Sequence, residues 1–245
     1  MRNAILTEAD HEIPAGFSIL DLVAIGVFFA VWFLFNLAFS GRWCRPTSIN
    51  AVMVTVRRAW MSRLLMRDNR IVDSTLIGHV IHSAAFFAST TTFVLAGLIG
   101  VLGSADQVYG AVANISMLLG GSQRLFEWKV VLLIAIFIYA FFKFTWALRQ
   151  FTYFAAVIGG APDKGDDYEI DEYSTLMATV LTQAIVELNG GVRAYYFAFA
   201  VFGWFIHPVV FIAATLTMVF VLARRQLGSS TARALRTHAQ RLREP

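Results

Sequence analysis

Four apolar runs, 17–39, 74–102, 130–158 and 194–223, constrain this 245-residue chain more than any other feature. Each is long enough to cross the roughly 30 Å hydrocarbon layer of a bilayer, which takes about 20 helical residues. Together they use nearly half of the sequence. Composition agrees, since 58% of residues are hydrophobic and only 15% charged, against roughly a quarter charged in an ordinary soluble domain. The expected fold is an all-α integral membrane protein, a single membrane domain over 1–245, with four or five transmembrane helices plus interfacial amphipathic helices. Glu8, Asp10 and Glu12 precede the first run, whose apolar core is too long for a signal peptide, so it is read as a retained anchor. Cys44 is the sole cysteine. An intramolecular disulfide is therefore impossible, as is a cysteine cluster for a metal.

Between the first two runs, 49–70 carries Arg57, Arg58, Arg63, Arg67 and Arg70. On a helical wheel Met53, Trp60, Met61, Leu64 and Leu65 share one side while Arg63, Arg67 and Arg70 share another, the pattern of a helix lying in the membrane interface. Arg57 falls in the apolar sector and must snorkel or find a partner. A second interfacial helix is expected over 171–189. There Met177, Leu181, Ala184 and Leu188 recur at helical spacing, Asp171 and Glu172 suit the start, and Asn189-Gly190-Gly191 suits the end. The stretch before it reads as an exposed acidic loop, and 224–245 as a basic tail with a surface helix. The net charge of +4 comes without a nucleic-acid motif. Anionic headgroups are the expected partners of the five arginines, each surface cation contributing on the order of 1 kcal/mol.

Orientation does not follow simply. Lys and Arg collect on the cytoplasmic side, so the arginine-rich loop after the first run belongs inside. Four crossings then leave the equally basic C-terminus outside and the acidic loop inside. A fifth crossing repairs both, and 108–122 is the candidate for it, although short and glycine-punctuated. Four full spans are the preferred expectation, with 108–122 interfacial or re-entrant.

Within the third run, AFFKFTWALRQFTYF places Tyr139, Lys143, Trp146, Gln150 and Tyr153 on one helical stripe, with Phe137, Phe141, Phe144, Leu148 and Phe151 elsewhere. A charge facing lipid at mid-depth costs at least about 3 kcal/mol. The stripe should therefore turn toward other helices or a wet cavity, unless Lys143 snorkels or the helix has left the hydrocarbon by Arg149. Anchoring or interhelical pairing is favoured over a transport role. Asp21, the carboxylate inside the first run, is a partner for Lys143 only if five crossings bring them to one depth.

The second run is built differently. Gly78, His82, Ala85, Ser89, Thr92 and Ala96 form a small-residue seam that lets helix backbones approach closely. His79 and His82, with His207 in the fourth run, raise the question of haem b. Without a ligand spacing they read as satisfied bundle histidines, with no metal and no cofactor expected. Phosphate-cradling loops, a nucleophile elbow and HExxH are all absent, so no enzymatic activity is expected.

Three strings carry a family resemblance: RDNRIVDSTLIGHVIHSAAFFASTTT (67–92), LGSADQVYG through IFIYAFFKFTWALRQFTYF (102–154), and LNGGVRAYYFAFAVFGWF (188–205). They resemble the bacterial and plant multi-pass membrane family known as domain of unknown function five-nine-nine. The resemblance implies a helical membrane protein without an established activity. It places Arg67, Asp68, Asn69, Arg70, His79, Lys143 and Arg193 within similar strings. The expected function is a non-catalytic oligomeric or accessory subunit in the bacterial inner membrane. The alternative is a channel or transporter lined by Lys143, Gln150, His82, Ser89 and Thr92, with haem binding or lipid modification a distant third.

Overall fold

The computed structural model describes residues 16–40, 48–113 and 122–242. Within them lie α1 (Ile19–Ser40), α2 (Ile49–Leu65), α3 (Ile71–Gly103), α4 (Ala105–Ala113), α5 (Gln123–Gly159), α6 (Ile170–Ile206), α7 (Pro208–Gly228) and α8 (Ser230–Arg241), with no strand among the described residues. Serine hydroxyls start several of them: Ser48 accepts from the amide of Ala51, Ser122 from that of Leu125 and Ser229 from that of Ala232. Each satisfies one amide that the first helical turn leaves unpaired. Four helices are long and apolar enough to cross a membrane: α1, α3, α5 and the one that begins at Pro208.

The fourth run is not one span. Proline lacks an amide hydrogen and drives the residue before it to extended backbone. His207 accordingly ends α6 at φ −162°, ψ 145°, and Pro208 opens α7. The chain then folds back on itself. Phe28 of α1 touches both Phe197 (5.7 Å) and Phe211 (5.1 Å), residues that one continuous helix would hold about 21 Å apart. Gly203 permits the hairpin, because a Cβ there would stand 3.1 Å from the Val210 carbonyl oxygen.

The helix expected to end at Asn189-Gly190-Gly191 also runs on. Continuing the spacing of Met177, Leu181 and Ala184 gives Gly191, Ala194, Ala198 and Val201, all buried on one face of α6. Two helix-interior glycines cost about 1 kcal/mol each relative to alanine, yet here they admit α5. A Cβ on Gly191 would lie 2.5 Å from the Phe144 ring, and one on Gly190 would lie 3.3 Å from the Lys143 stem. At 37 residues each, α5 and α6 are about 55 Å long, far beyond the thickness of a bilayer core.

Contacts fix the directions. Phe17 meets Trp128 and Trp32 meets Tyr139, so α1 runs parallel to α5. Lys129 lies over Trp204 and Lys143 pairs with Glu187, so α6 runs antiparallel to α5. Five long helices thus traverse an upper layer, α1, α5 and α7 descending and α3 and α6 ascending. The extra traverse comes from the α6–α7 hairpin; most of 108–122, the segment expected to be interfacial or re-entrant, lies outside the described residues. At the upper end Tyr109 packs on Phe126 (6.0 Å) and Gln123 donates to Asp106, so the chain leaves α3 and enters α5 on the same side. Residues 114–121 lie outside the described ones.

Below the ends of α1 and α7 lies a lower layer of α2, α3, α5 and α6, with α8 packed on α2. Contrary to the interfacial expectation, α2 runs down the side of α6: Asn50 donates to the carbonyl of Phe39, Arg57 reaches Thr182, and Tyr168 reaches the carbonyl of Leu65. The upper core gathers Phe28, Phe137, Phe144, Phe197, Trp204 and Phe211; the lower gathers Met61, Leu64, Leu65, Phe151, Met177 and Leu181. Leu148 and Leu188 pack against both cores and mark a waist.

The outer surface changes there too. Above the waist it shows Phe29, Phe33, Phe93, Phe199, Phe202 and Phe220; below it His79, His82, Ser83, Arg149, Thr152, Thr175, Thr179 and Gln183 stand beside exposed Ile71, Val72, Leu76 and Leu176.

Candidate functional site

At the waist the Lys143 ammonium lies 2.8 Å from Glu187 Oε2, with side-chain exposures of 30% and 18%. Gly190 makes the pair possible by leaving room for the lysine's methylenes. Above it the ammonium sits 5.6 Å from the centre of the Tyr139 ring, whose edge meets Trp32. An apolar groove of about 330 Å³ rises from this point between α1 and α5, lined by Phe29, Trp32, Phe33, Asn36, Leu132 and Tyr139 among others. The arrangement neutralises both charges and keeps one edge open to the surroundings.

Only part of the expected stripe takes part. Trp146 and Tyr153 are exposed, Gln150 is half-buried, and the phenol of Tyr153 accepts from Arg149 Nε at 2.7 Å. The face of α5 that is buried belongs to Phe144, Ala147, Phe151 and Phe154. Ring area won the helix interface, and the polar stripe lies along its edge.

The proposed partnership of Asp21 with Lys143 does not exist. Asp21 sits at the upper end, buried, accepting from Trp204 Nε1 (2.7 Å), Ser18 Oγ (2.7 Å) and the Ser18 amide (2.9 Å). Lys129 is the cation beside it, 2% exposed, over the rings of Trp204 and Phe205 at 5.5 and 5.8 Å. Both true partners were legible in part. Lys129 lies one turn before Leu133, Ile136 and Ala140 and continues their buried face. Glu187 was hidden because its segment looked interfacial and appeared to stop two residues later.

The transport-path residues are not brought together. His82, Ser89 and Thr92 are exposed on α3, turned away from Lys143. His82 Nδ1 lies 2.9 Å from the Gly78 carbonyl, and Thr92 donates to the Ala88 carbonyl. His79 is exposed near the foot of α3, while His207 caps α7 at the opposite end through Nδ1, which accepts from the Val209 amide. The small-residue seam also faces outward, and nothing lies within 4 Å of a Cβ built on Gly78, Gly97, Gly100 or Gly103. The described residues hold no group of three or more His, Cys, Asp or Glu side chains placed to share a metal ion.

The arginines expected at headgroups are largely engaged with the protein. Arg67 and Trp60 both donate to Oδ1 of fully buried Asp73, at 2.6 and 2.7 Å. Arg70 donates to the carbonyls of Ala161 and Pro162 and lies 3.9 Å from Asp163; Lys164 meets Asp68 at 3.4 Å. Asn69 caps α3 by accepting from the amide of Ile71. Residues 67–70 thus clamp the turn into α3 against the loop between α5 and α6. Arg58 pairs with Asp171 at an exposed site, and Arg63 is exposed. Arg57 is buried against α6, with Nη1 donating to Thr182 Oγ1 at 3.3 Å.

Aromatic-clad parallel and antiparallel helices around a neutralised ion pair define an all-α, multi-pass integral membrane protein. Within that class, the model for the family described as "Protein of unknown function, DUF599" matches residues 23–231, and the chain belongs to that family. No curated protein and no solved structure matches it.

Proposed function

We propose that the protein is a non-catalytic membrane subunit that works by assembly, with its upper layer in the bilayer and its lower layer projecting into the cytoplasm of a bacterial cell. Five crossings put the N-terminal side outside and gather the α2 arginines and Arg224, Arg225, Arg233, Arg236 and Arg241 at the inner end, as basic residues prefer. The acidic loop shares that end, where ion pairs of Arg58, Arg70 and Lys164 offset its charge. The observation that carries the assembly reading is the state of α3. It packs chiefly on α5 and, above the waist, turns Ser89, Thr92 and Ala96 of its seam outward. Small residues of this kind let a second helix approach to backbone contact within lipid. Mass measurement in nanodiscs tests it: more than one copy, or a stoichiometric partner, is expected, and Ala85→Phe or Ala96→Phe should disperse the assembly. A monodisperse single copy without a partner contradicts the reading.

A second reading, a small-solute channel or transporter, is favoured by the half-exposed Lys143–Glu187 pair, since ionisable residues at membrane depth commonly mark pathways. Liposome flux lost in Lys143→Ala and Glu187→Gln would support it. Unchanged flux, or none, would leave assembly as the account.

A further inference from the structure

A buried guanidinium needs an anion or a full set of acceptors, because removing a charge from water costs several kcal/mol. Arg58, Arg67 and Arg70 each have a carboxylate or carbonyl partner. Arg57 does not. It is 6% exposed, its Nη1 has only the neutral hydroxyl of Thr182 at 3.3 Å, and its Nε is buried without an acceptor. Among the described residues no carboxylate lies within 4.0 Å of it. Burial pulls the guanidinium below the ordinary arginine range, with no opposing charge to restore it.

Depth indicates the anion. Thr182 lies five residues below Glu187 on α6, about 7.5 Å further down the helix axis. If hydrocarbon ends at the waist, Arg57 stands at the outer edge of the headgroup layer, which adds roughly 5 to 7.5 Å per leaflet. There the commonest anion is a phosphodiester, and the planar guanidinium fork suits its oxygens.

We propose that Arg57, assisted by the Thr182 hydroxyl, binds the phosphate group of an anionic lipid of the inner leaflet. The site rests on the membrane placement given above, with α2 and α6 each supplying one of its two residues. Its occupant supplies the counter-charge that the described residues lack at this point. Arg63, fully accessible on the same helix, takes no part.

The test is thermal unfolding of the full chain, purified in an uncharged detergent, titrated with dihexanoyl phosphatidylglycerol, with dihexanoylglycerol as phosphate-free control and inorganic phosphate as third probe. The wild type should gain about 5 °C at saturating phosphatidylglycerol, and Arg63→Gln should respond equally. Arg57→Gln should not respond. Arg57→Met guards against simple misfolding: without lipid it should melt at or above the wild type, since an uncompensated charge is gone, and it too should ignore phosphatidylglycerol. A response to inorganic phosphate as well as to the lipid supports phosphate recognition. Stabilisation by inorganic phosphate alone, equal stabilisation by dihexanoylglycerol, or an undiminished response in Arg57→Gln overturns the proposal. Labelling of Gln183 reads the membrane boundary separately, so a failed boundary and a failed lipid site are different results.

Discussion

The upper and lower layers share α3, α5 and α6 but face different surroundings. Around the upper layer the outer residues are mainly Phe, Leu, Val and Ile; around the lower, Thr, His, Ser, Arg and Gln stand among fewer apolar side chains, such as Ile71, Val72, Leu76 and Leu176. Lipid tails are as apolar as the core, so the upper helices gain little from hiding apolar area and must be held by packing and hydrogen bonds. Their interface accordingly carries ring contacts such as Trp32 on Phe197 (5.0 Å) and Trp204 on Phe211 (5.5 Å), and bonds such as Thr91 with Tyr195 (2.9 Å). On the proposed placement the lower layer is held by ordinary burial from water, at about 25 cal/mol per Å². One pair of helices therefore obeys two sets of rules along its length.

Breaking the comparison starts at the upper end. Asp21→Ala leaves the Trp204 N–H without its acceptor and the buried Lys129 ammonium without the nearby negative charge, so a loss of about 3–5 kcal/mol is expected, read by denaturation in detergent micelles. Asp21→Asn should recover part of it. In the lower core, Leu181→Ala removes a fully buried side chain and should cost about 3 kcal/mol. Its effect should appear as early loss of protection in the lower halves of α5 and α6 by hydrogen exchange, with the upper halves following later. Equal loss along both helices would show that the layers unfold as one. Where α5 meets α6, Gly191→Ala drives a methyl into the Phe144 ring and should cost about 2 kcal/mol. Gly97→Ala, in open space, should cost nothing or add up to about 1 kcal/mol. Least of all, Lys143→Met should shift stability by about 1 kcal/mol or less, because the pair is partly open to its surroundings.

Much of this was legible in the residues. Length and hydropathy identify α1, α3 and α5, and the charge imbalance asks for a fifth traverse. The sequence misleads about where that traverse lies, for a physical reason at His207-Pro208: hydropathy registers apolar content but not a reversal of direction, and both arms of the hairpin are apolar. Glu187 and Arg193 dilute α6, which is not among the four helices apolar enough to cross a membrane. The Gly190-Gly191 pair looks like a stop signal because its purpose, room for Phe144 and the Lys143 stem, depends on a helix elsewhere in the chain. Lys143 pairs across helices with Glu187, a partner that cannot be chosen from the sequence without knowing that α6 continues.

The central claim is that hydrocarbon ends at the waist, and site-directed labelling along α6 tests it most directly. In a Cys44→Ser background, single cysteines at Thr175, Thr179, Gln183, Phe199 and Phe202 are offered a membrane-impermeant maleimide on inside-out vesicles. The account predicts rapid labelling at the first three and protection at the last two. Protection at Thr179 and Gln183, with labelling beginning only near Thr175 or not at all, would contradict it.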